Sequence, residues 1–109
     1  MVTYRSLGEL ESAHDEESAA ARRRLEDAEE HLMHYRSQIY RIQESVYQAV
    51  AQHGVADDPD FRHEFQRFAD RHEEAAHEAD RVVTRYQEQY EDLQREQSRE
   101  RERFLQDHR

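Results

Sequence analysis

The chain has 109 residues, of which 39% are charged and 35% hydrophobic, so it forms at most one domain and is too poor in apolar residues for a multilayered core. Its formal net charge of −10 argues against a general nucleic-acid binder, which needs a basic face towards the phosphates. Cysteine is absent and no apolar run is long enough to cross a membrane, so we expect no disulfide, no thiolate chemistry and no membrane insertion.

The first predicted helix is built on an apolar seam with coiled-coil spacing. From Leu25 to Ala49, apolar residues recur in alternating steps of three and four, which is the heptad pattern. The residues of this seam are Leu25, Ala28, Leu32, Tyr35, Ile39, Ile42, Val46 and Ala49. Nearer the N terminus the same steps pass through Ser18, His14 and Glu11, so the seam weakens there. The pattern predicts a helix over about residues 7–53.

The stretch QHGVADDPDF, residues 52–61, predicts a short turn between two helices. Gly54 suits the left-handed backbone that ends many helices. Asp58 is placed to cap a second helix, with Pro59 at the first helical position. A turn over about residues 54–58 is short enough to fold the second helix back antiparallel against the first.

The second predicted helix, over about residues 59–106, carries a similar seam. The residues of this seam are Phe61, Phe65, Phe68, His72, Ala75, Ala79, Val82, Tyr86, Tyr90, Leu93, Gln97, Glu100 and Phe104. Two successive steps of four, from Val82 through Tyr86 to Tyr90, predict a stutter that locally unwinds a supercoil.

Together the two segments predict an all-α fold: an antiparallel two-helix hairpin, or coiled coil, that occupies residues 1–109 as one domain. In the predicted register Leu32 lies near Ala79, and Leu25 lies near Tyr86. The register also brings together the apolar residues of the open end, which are Leu7, Leu10, Phe104 and Leu105.

A second apolar stripe beside the seam predicts a partner-binding surface. The predicted partner-binding residues are Met33, Tyr40, Tyr47 and Val50 on the first helix and Phe61, Phe65 and Phe68 on the second. So wide an apolar arc favours additional helices, from a partner or a second copy, that complete a bundle. The alternative is that Tyr40 and Tyr47 only lean over the seam and keep their hydroxyl groups hydrated.

No residue pattern in the chain predicts catalysis. Glu11 with His14 and Glu74 with His77 have the Glu-x-x-His spacing of di-iron bundles. The hairpin register, however, places the two pairs far apart along the helices. A shared metal site is therefore not expected.

Two further groups have some of the features of metal ligands. His31 with His34, and His72 with His77, lack a thiolate or an evident third ligand for zinc. The three aspartates of the turn resemble part of a calcium loop, but the proline among them interrupts the order of oxygen ligands. We therefore predict a protein that is not an enzyme and that holds no metal or cofactor.

The stretch SVYQAVAQHGVADDPDFRHEFQRF, Ser45 to Phe68, combines an acidic break with aromatic residues on both sides. Together with the chain length and the two long charged helices, it resembles the small helical-hairpin accessory proteins encoded beside LXG toxins in Gram-positive type VII secretion loci. The resemblance covers nearly the whole chain and transfers no functional residues. It implies a targeting chaperone that binds the N-terminal helical region of the toxin and promotes its export. A second small WXG-like helical protein is an additional partner that the resemblance implies.

Two other functions are compatible with the same pattern. One is a coiled-coil adaptor or export stalk, similar to the hairpin proteins of flagellar and type III export. The other is a structural homodimer that forms a four-helix bundle without a client. The N-terminal stretch MVTYRSLGELES lacks the basic-then-apolar order of a signal peptide. We expect a cytoplasmic protein, either retained there or co-exported with its partner.

Overall fold

The computed structural model describes residues 4–108, which form two long α-helices. Helix α1 comprises Leu7–Gln52 and helix α2 comprises Pro59–Asp107, and no strand occurs within the described range. These bounds lie within one residue of the ranges predicted from the heptad pattern and the turn signals. The predicted all-α hairpin is confirmed.

Helix α1 begins with a serine cap. The Glu9 N–H donates to Ser6 Oγ at 3.1 Å, and the Leu10 N–H donates to the Ser6 carbonyl at 3.1 Å. The Arg5 N–H donates to Glu9 Oε2 at 3.3 Å. The bond to Ser6 Oγ satisfies the Glu9 N–H, one of the groups that a helix start leaves without an intrahelical acceptor. The Ser-x-x-Glu spacing of Ser6 and Glu9, which is the capping-box pattern, could have predicted this start.

Helix α1 ends on a left-handed glycine, which confirms the predicted role of Gly54. Its φ is 72°. The Val55 N–H donates to the Val50 carbonyl at 3.2 Å, and the Gly54 N–H donates to the Ala51 carbonyl at 3.1 Å. These two bonds form the Schellman motif, in which a residue without Cβ is favoured at the left-handed position.

The aspartates of the turn belong to the start of α2. Asp58 Oδ1 accepts the Asp60 N–H at 3.3 Å, and the Asp58 carbonyl accepts the Arg62 N–H at 3.0 Å. Arg62 Nη2 donates to Asp57 Oδ1 at 3.0 Å. Asp58 is thus the N-cap, as predicted, and two of the three carboxylates serve the helix start.

The contacts divide the chain into two compact units. The terminal unit contains the described residues 4–27 and 83–108, and the tip unit contains residues 28–82. In the terminal unit Leu10 is 1% exposed, and in the tip unit Ala76 is 3% exposed. In each unit an α1 segment packs antiparallel against an α2 segment.

The predicted stutter at Val82, Tyr86 and Tyr90 is wrong. Val82 is 37% exposed, whereas the next residue, Val83, is half-buried. In the terminal unit the buried and half-buried residues of α2 therefore follow each other in regularly alternating steps of three and four residues. They are Val83, Tyr86, Tyr90, Leu93, Gln97, Glu100 and Phe104.

The extra step of four lies in the tip unit, and both helices have one. On α2 the seam runs from Phe68 through His72 to Ala76, and Ala75 is exposed. On α1 it runs through Tyr35, Ile39 and Gln43. A straight helix has about 3.6 residues per turn and cannot follow a strict repeat of about 3.5 without supercoiling, so the contact face rotates.

This rotation leaves several predicted seam residues in solvent. Ile42 is 46% exposed and Val46 is 40% exposed, and Ala49 is exposed as well. Gln43 and Val50, each one residue further along, are half-buried instead. The predicted seam of α1 is therefore wrong at Ile42, Val46 and Ala49.

The two glycines make a matched pair for testing the turn. Gly54→Ala should lower the free energy of unfolding by about 1 kcal/mol, because an L residue is strained at positive φ. Gly8→Ala should leave it unchanged or raise it by up to about 1 kcal/mol, since a Cβ there would lie 3.9 Å from Ser6 Oγ, an ordinary contact. Urea denaturation monitored by circular dichroism measures both, and equal effects would contradict the assignment.

Candidate partner-binding surface

The seam of the tip unit is aromatic around His72. The Tyr35 hydroxyl lies 2.7 Å from His72 Nδ1. The ring centroids of Phe68 and His72 are 4.3 Å apart, and all three side chains are half-buried. Phe68, predicted to contact a partner, therefore also packs within the unit.

The remaining phenylalanines continue this packing towards the turn. The ring centroids of Phe61 and Phe65 are 5.5 Å apart, and those of Phe65 and Tyr47 are 6.3 Å apart. Tilted pairs at such distances are favourable. Phe61 and Phe65 are half-buried, as is Val50 on α1. Four of the seven predicted partner-binding residues thus contribute to the seam of the tip unit.

The other three predicted residues are largely exposed. Met33 is 72% exposed, Tyr40 is 64% exposed and Tyr47 is 51% exposed. They follow each other at intervals of seven residues, so they form one row along α1. We call this row the exposed row. Tyr47 leans on Phe65, as the alternative interpretation expected, but half of its surface remains in solvent.

Beside the exposed row lies an open groove of about 430 Å³. The residues lining it are Tyr35, Arg36, Ile39, Tyr40 and Gln43 of α1 and Ala69, His72, Glu73 and Ala76 of α2. The alanines of α2 leave space opposite Tyr40, because their side chains end at Cβ. Arg36 and Glu73 place one charge of each sign among these residues. This arrangement can accept an apolar side chain of another helix and orient it by the charges.

The core of the terminal unit contains buried polar residues beside the apolar Leu10 and Ala21. His14 is 7% exposed and Gln97 is 8% exposed. Gln97 Nε2 donates to the His14 carbonyl at 3.0 Å, and the Ser18 hydroxyl donates to Gln97 Oε1 at 2.9 Å. Gln94 Nε2 donates to Ser18 Oγ at 3.0 Å, and His14 Nε2 lies 3.1 Å from Glu100 Oε2.

This polar network favours one register of the two segments. Sliding one segment along the other would separate Ser18 from Gln97 and leave buried polar groups without partners, which is costly. Polar residues at seam positions of coiled coils fix the register in the same way. We did not predict the network, although Ser18 and Gln97 stood at facing seam positions and were the available signal.

Arg22 and Glu11 make further bonds across the terminal unit. Arg22 Nη2 donates to the Tyr90 hydroxyl at 2.8 Å and its guanidinium carbon lies 5.6 Å from the Tyr90 ring centroid. This hydrogen bond raises the pKa of Arg22 above its ordinary value. Arg101 Nε lies 3.1 Å from Glu11 Oε1. These contacts lie at the edge of the seam and reinforce the register that the polar network specifies.

The acidic and histidine side chains do not form a metal site in residues 4–108. His77 Nε2 lies 3.5 Å from Glu73 Oε1, rather than pairing with Glu74. Glu11 contacts Arg101 and His14 contacts Glu100. No group of three or more potential metal ligands converges among these described residues.

Neither α1 nor α2 has the combination of length and apolar character that a membrane span requires. We compared the chain with protein-family models, curated proteins and solved structures, and found no match. The exposed row and the groove are therefore interpreted from their geometry and from the sequence pattern.

The polar network yields a test of its contribution to stability. Gln97→Ala should lower the free energy of unfolding by about 1–3 kcal/mol, because it leaves the Ser18 hydroxyl without its buried acceptor. Ser18→Ala combined with Gln97→Met should change it by less than about 1 kcal/mol, since both partners are replaced and the length at position 97 is kept. If the double variant is as unstable as Gln97→Ala in urea denaturation, the hydrogen bonds are not the cause.

Removal of divalent metals tests the interpretation of the carboxylates and histidines. EDTA should leave the melting temperature unchanged, because Asp58 caps α2 and because His14 and His77 each lie beside a single carboxylate. Thermal unfolding followed by circular dichroism, with and without EDTA, measures this. A large decrease in the melting temperature would contradict the prediction.

Proposed function

We propose that this protein is a non-enzymatic helical adaptor that binds an α-helix of another protein along the exposed row of the tip unit. The observation that carries the proposal is the exposure of Met33, Tyr40 and Tyr47 in one row beside a groove. A row of exposed apolar side chains beside a groove is a surface at which another helix can bind.

The spacing of the row supports a helical partner. Residues seven apart on α1 match the repeat of a partner helix that packs lengthwise against it. The small side chains of Ala69 and Ala76 allow such a helix to approach α2 closely while it contacts Tyr40. The partner would then be the third helix of a bundle whose first two helices are α1 and α2.

The resemblance to accessory proteins of type VII secretion supports a specific partner class. In this proposal the partner is the N-terminal helical region of an LXG toxin, alone or together with a small WXG-like helical protein. Binding covers apolar helix surface of the toxin before export and presents the toxin to the secretion apparatus. The adaptor acts in the cytoplasm, and it either stays there or leaves with its cargo.

A double substitution in the exposed row tests the binding surface. Tyr40→Glu combined with Tyr47→Glu should weaken binding of the toxin's helical region by more than roughly 100-fold, because two aromatic anchors are lost and two carboxylates lose water. Co-expression of the protein with the helical region of an LXG toxin from the same locus, followed by co-purification and calorimetry, measures the affinity.

The matched control is Gln38→Glu combined with Ser45→Glu. It adds the same two charges at the same spacing, on exposed positions of α1 away from the row. It should retain binding, and circular dichroism should show unchanged helicity for both variants. Unchanged binding by the tyrosine variant would refute the surface. A wild-type protein that does not bind the toxin region would refute the partner class.

A further inference from the structure

The rotation of the seam creates a second apolar flank on the tip unit. Tyr40 follows the seam residue Ile39 by one position, whereas Ile42 precedes the seam residue Gln43 by one position. At about 100° per residue, Tyr40 and Ile42 therefore project to opposite sides of the seam. Val46, which is 40% exposed, lies on the same side as Ile42.

Helix α2 contributes to the same side. Ala69 and Glu73, which line the groove, each follow a seam residue by one position, as Tyr40 does on α1. Ala75 precedes the seam residue Ala76 by one, and Val82 lies seven residues after Ala75. Both are exposed and belong to the side away from the groove. We define the second flank as Ile42, Val46, Ala75 and Val82.

A stripe of charged residues runs along the same side of α2, and four of its members, like Ala75 and Val82, precede a seam residue by one position. All six are exposed and are spaced by steps of three and four. They are Glu64, Arg67, Arg71, Glu74, Glu78 and Arg81. The stripe is neutral, with three Glu and three Arg, although the whole chain has a net charge of −10.

The order of signs in this stripe is self-complementary in the antiparallel direction. From Glu64 to Arg81 the charges are one negative, two positive, two negative and one positive. When the stripe is placed antiparallel beside an identical one, Glu64 faces Arg81. Arg67 then faces Glu78, and Arg71 faces Glu74. A parallel pairing would instead place like charges together, which is unfavourable.

We propose that the second flank binds the second flank of another copy of this chain, with α2 antiparallel to α2. The charged stripes pair along the contact, and Ala75 lies near the two-fold axis, which falls between His72 and Glu73 of α2. The contact is isologous, so each of the three charge pairs forms twice. The two tip units together then form a four-helix bundle.

The charge pattern favours a second copy over an unrelated helix. An unrelated helix would need charges complementary to this stripe, but its binding would not require the stripe to be complementary to a copy of itself. In the single chain, Arg67 contacts Glu64 and Arg81 contacts Glu78 within α2. Exposed pairs of this kind contribute little free energy, so their side chains can turn to a second copy at small cost.

The contact with a second copy is independent of the proposed adaptor function. The second flank and the groove lie on opposite sides of the seam, so one chain can bind a copy of itself and a client helix at the same time. Loss of one interaction should leave the other intact. The two proposals can therefore fail separately.

Charge reversal tests the proposed pairing. Arg67→Glu with Arg71→Glu, and separately Glu74→Arg with Glu78→Arg, should each weaken self-association by more than roughly 100-fold, since four charge pairs become repulsive. Light scattering and native mass spectrometry should show that the molecular mass decreases from that of a dimer, about twice 13.2 kDa, to that of a monomer, 13.2 kDa. An equimolar mixture of the two variants should form a heterodimer, because all four reversed pairs are attractive again. The chain that carries all four substitutions should regain the homodimer.

The matched control is Arg99→Glu with Arg103→Glu in the terminal unit. It makes the same change in charge and also removes contacts within α2, those with Glu96. It should remain dimeric. The Arg67 and Arg71 variant should still bind the toxin's helical region.

Three outcomes would overturn the proposal. The first is a wild-type protein that is monomeric up to its highest soluble concentration. The second is a dimer that the charge reversals do not weaken, or a mixture of the two variants that fails to form a heterodimer. The third is a dimer that is lost in the Tyr40 and Tyr47 variant, which would place the second copy on the groove instead.

Discussion

The contact between α1 and α2 in the tip unit depends on the pitch of the α-helix. A heptad repeat of about 3.5 residues stays on one face only if the helices supercoil, whereas a straight helix turns once in about 3.6 residues. Both helices of the tip unit accommodate this difference by one extra step of four, at Ile39 and at His72. The seam then continues through Gln43 and Ala76, and the heptad positions beside them, Ile42 and Ala75, face solvent. The groove and the second flank are both consequences of this step.

The two units have different kinds of core. In the tip unit, aromatic rings form tilted pairs around His72 and Phe65, and Ala76 is buried in the seam. A hydrogen bond between the Tyr35 hydroxyl and His72 Nδ1, at 2.7 Å, also joins the two helices there. In the terminal unit, Ser18 and Gln97 are joined by directional hydrogen bonds, which are satisfied in one register only. Aromatic packing therefore dominates the seam of the tip unit, whereas several hydrogen bonds specify the register of the terminal unit.

The tip unit exposes apolar side chains on both sides of its seam. The Asp58 carboxylate caps α2, and His14 lies beside the Glu100 carboxylate. Met33, Tyr40 and Tyr47 lie on one side of this seam, and Ile42, Val46 and Val82 lie on the other. A hairpin with an apolar row on each side can contact two further helices without any change in its own fold. This is the property on which both the adaptor proposal and the self-association proposal depend.

The sequence alone determined the fold class, the ends of the helices and the turn. These features depend on local chemistry: Gly54 at positive φ, Asp58 at the start of α2, and apolar residues at helical spacing. It also indicated Met33, Tyr40 and Tyr47 as residues beside the seam. These three are exposed in the structure, while the phenylalanines predicted with them are half-buried.

The tertiary structure decided which side of the seam each residue occupies. A heptad pattern read along the sequence cannot distinguish Ile42 from Gln43 as the seam residue, because the outcome depends on how far the two helices supercoil. It also cannot show that Ser18 and Gln97 bond to each other, because that needs the register of two segments distant in the chain. Local propensity specifies a helix and its ends. Only the packing of one helix against the other selects the face that is buried.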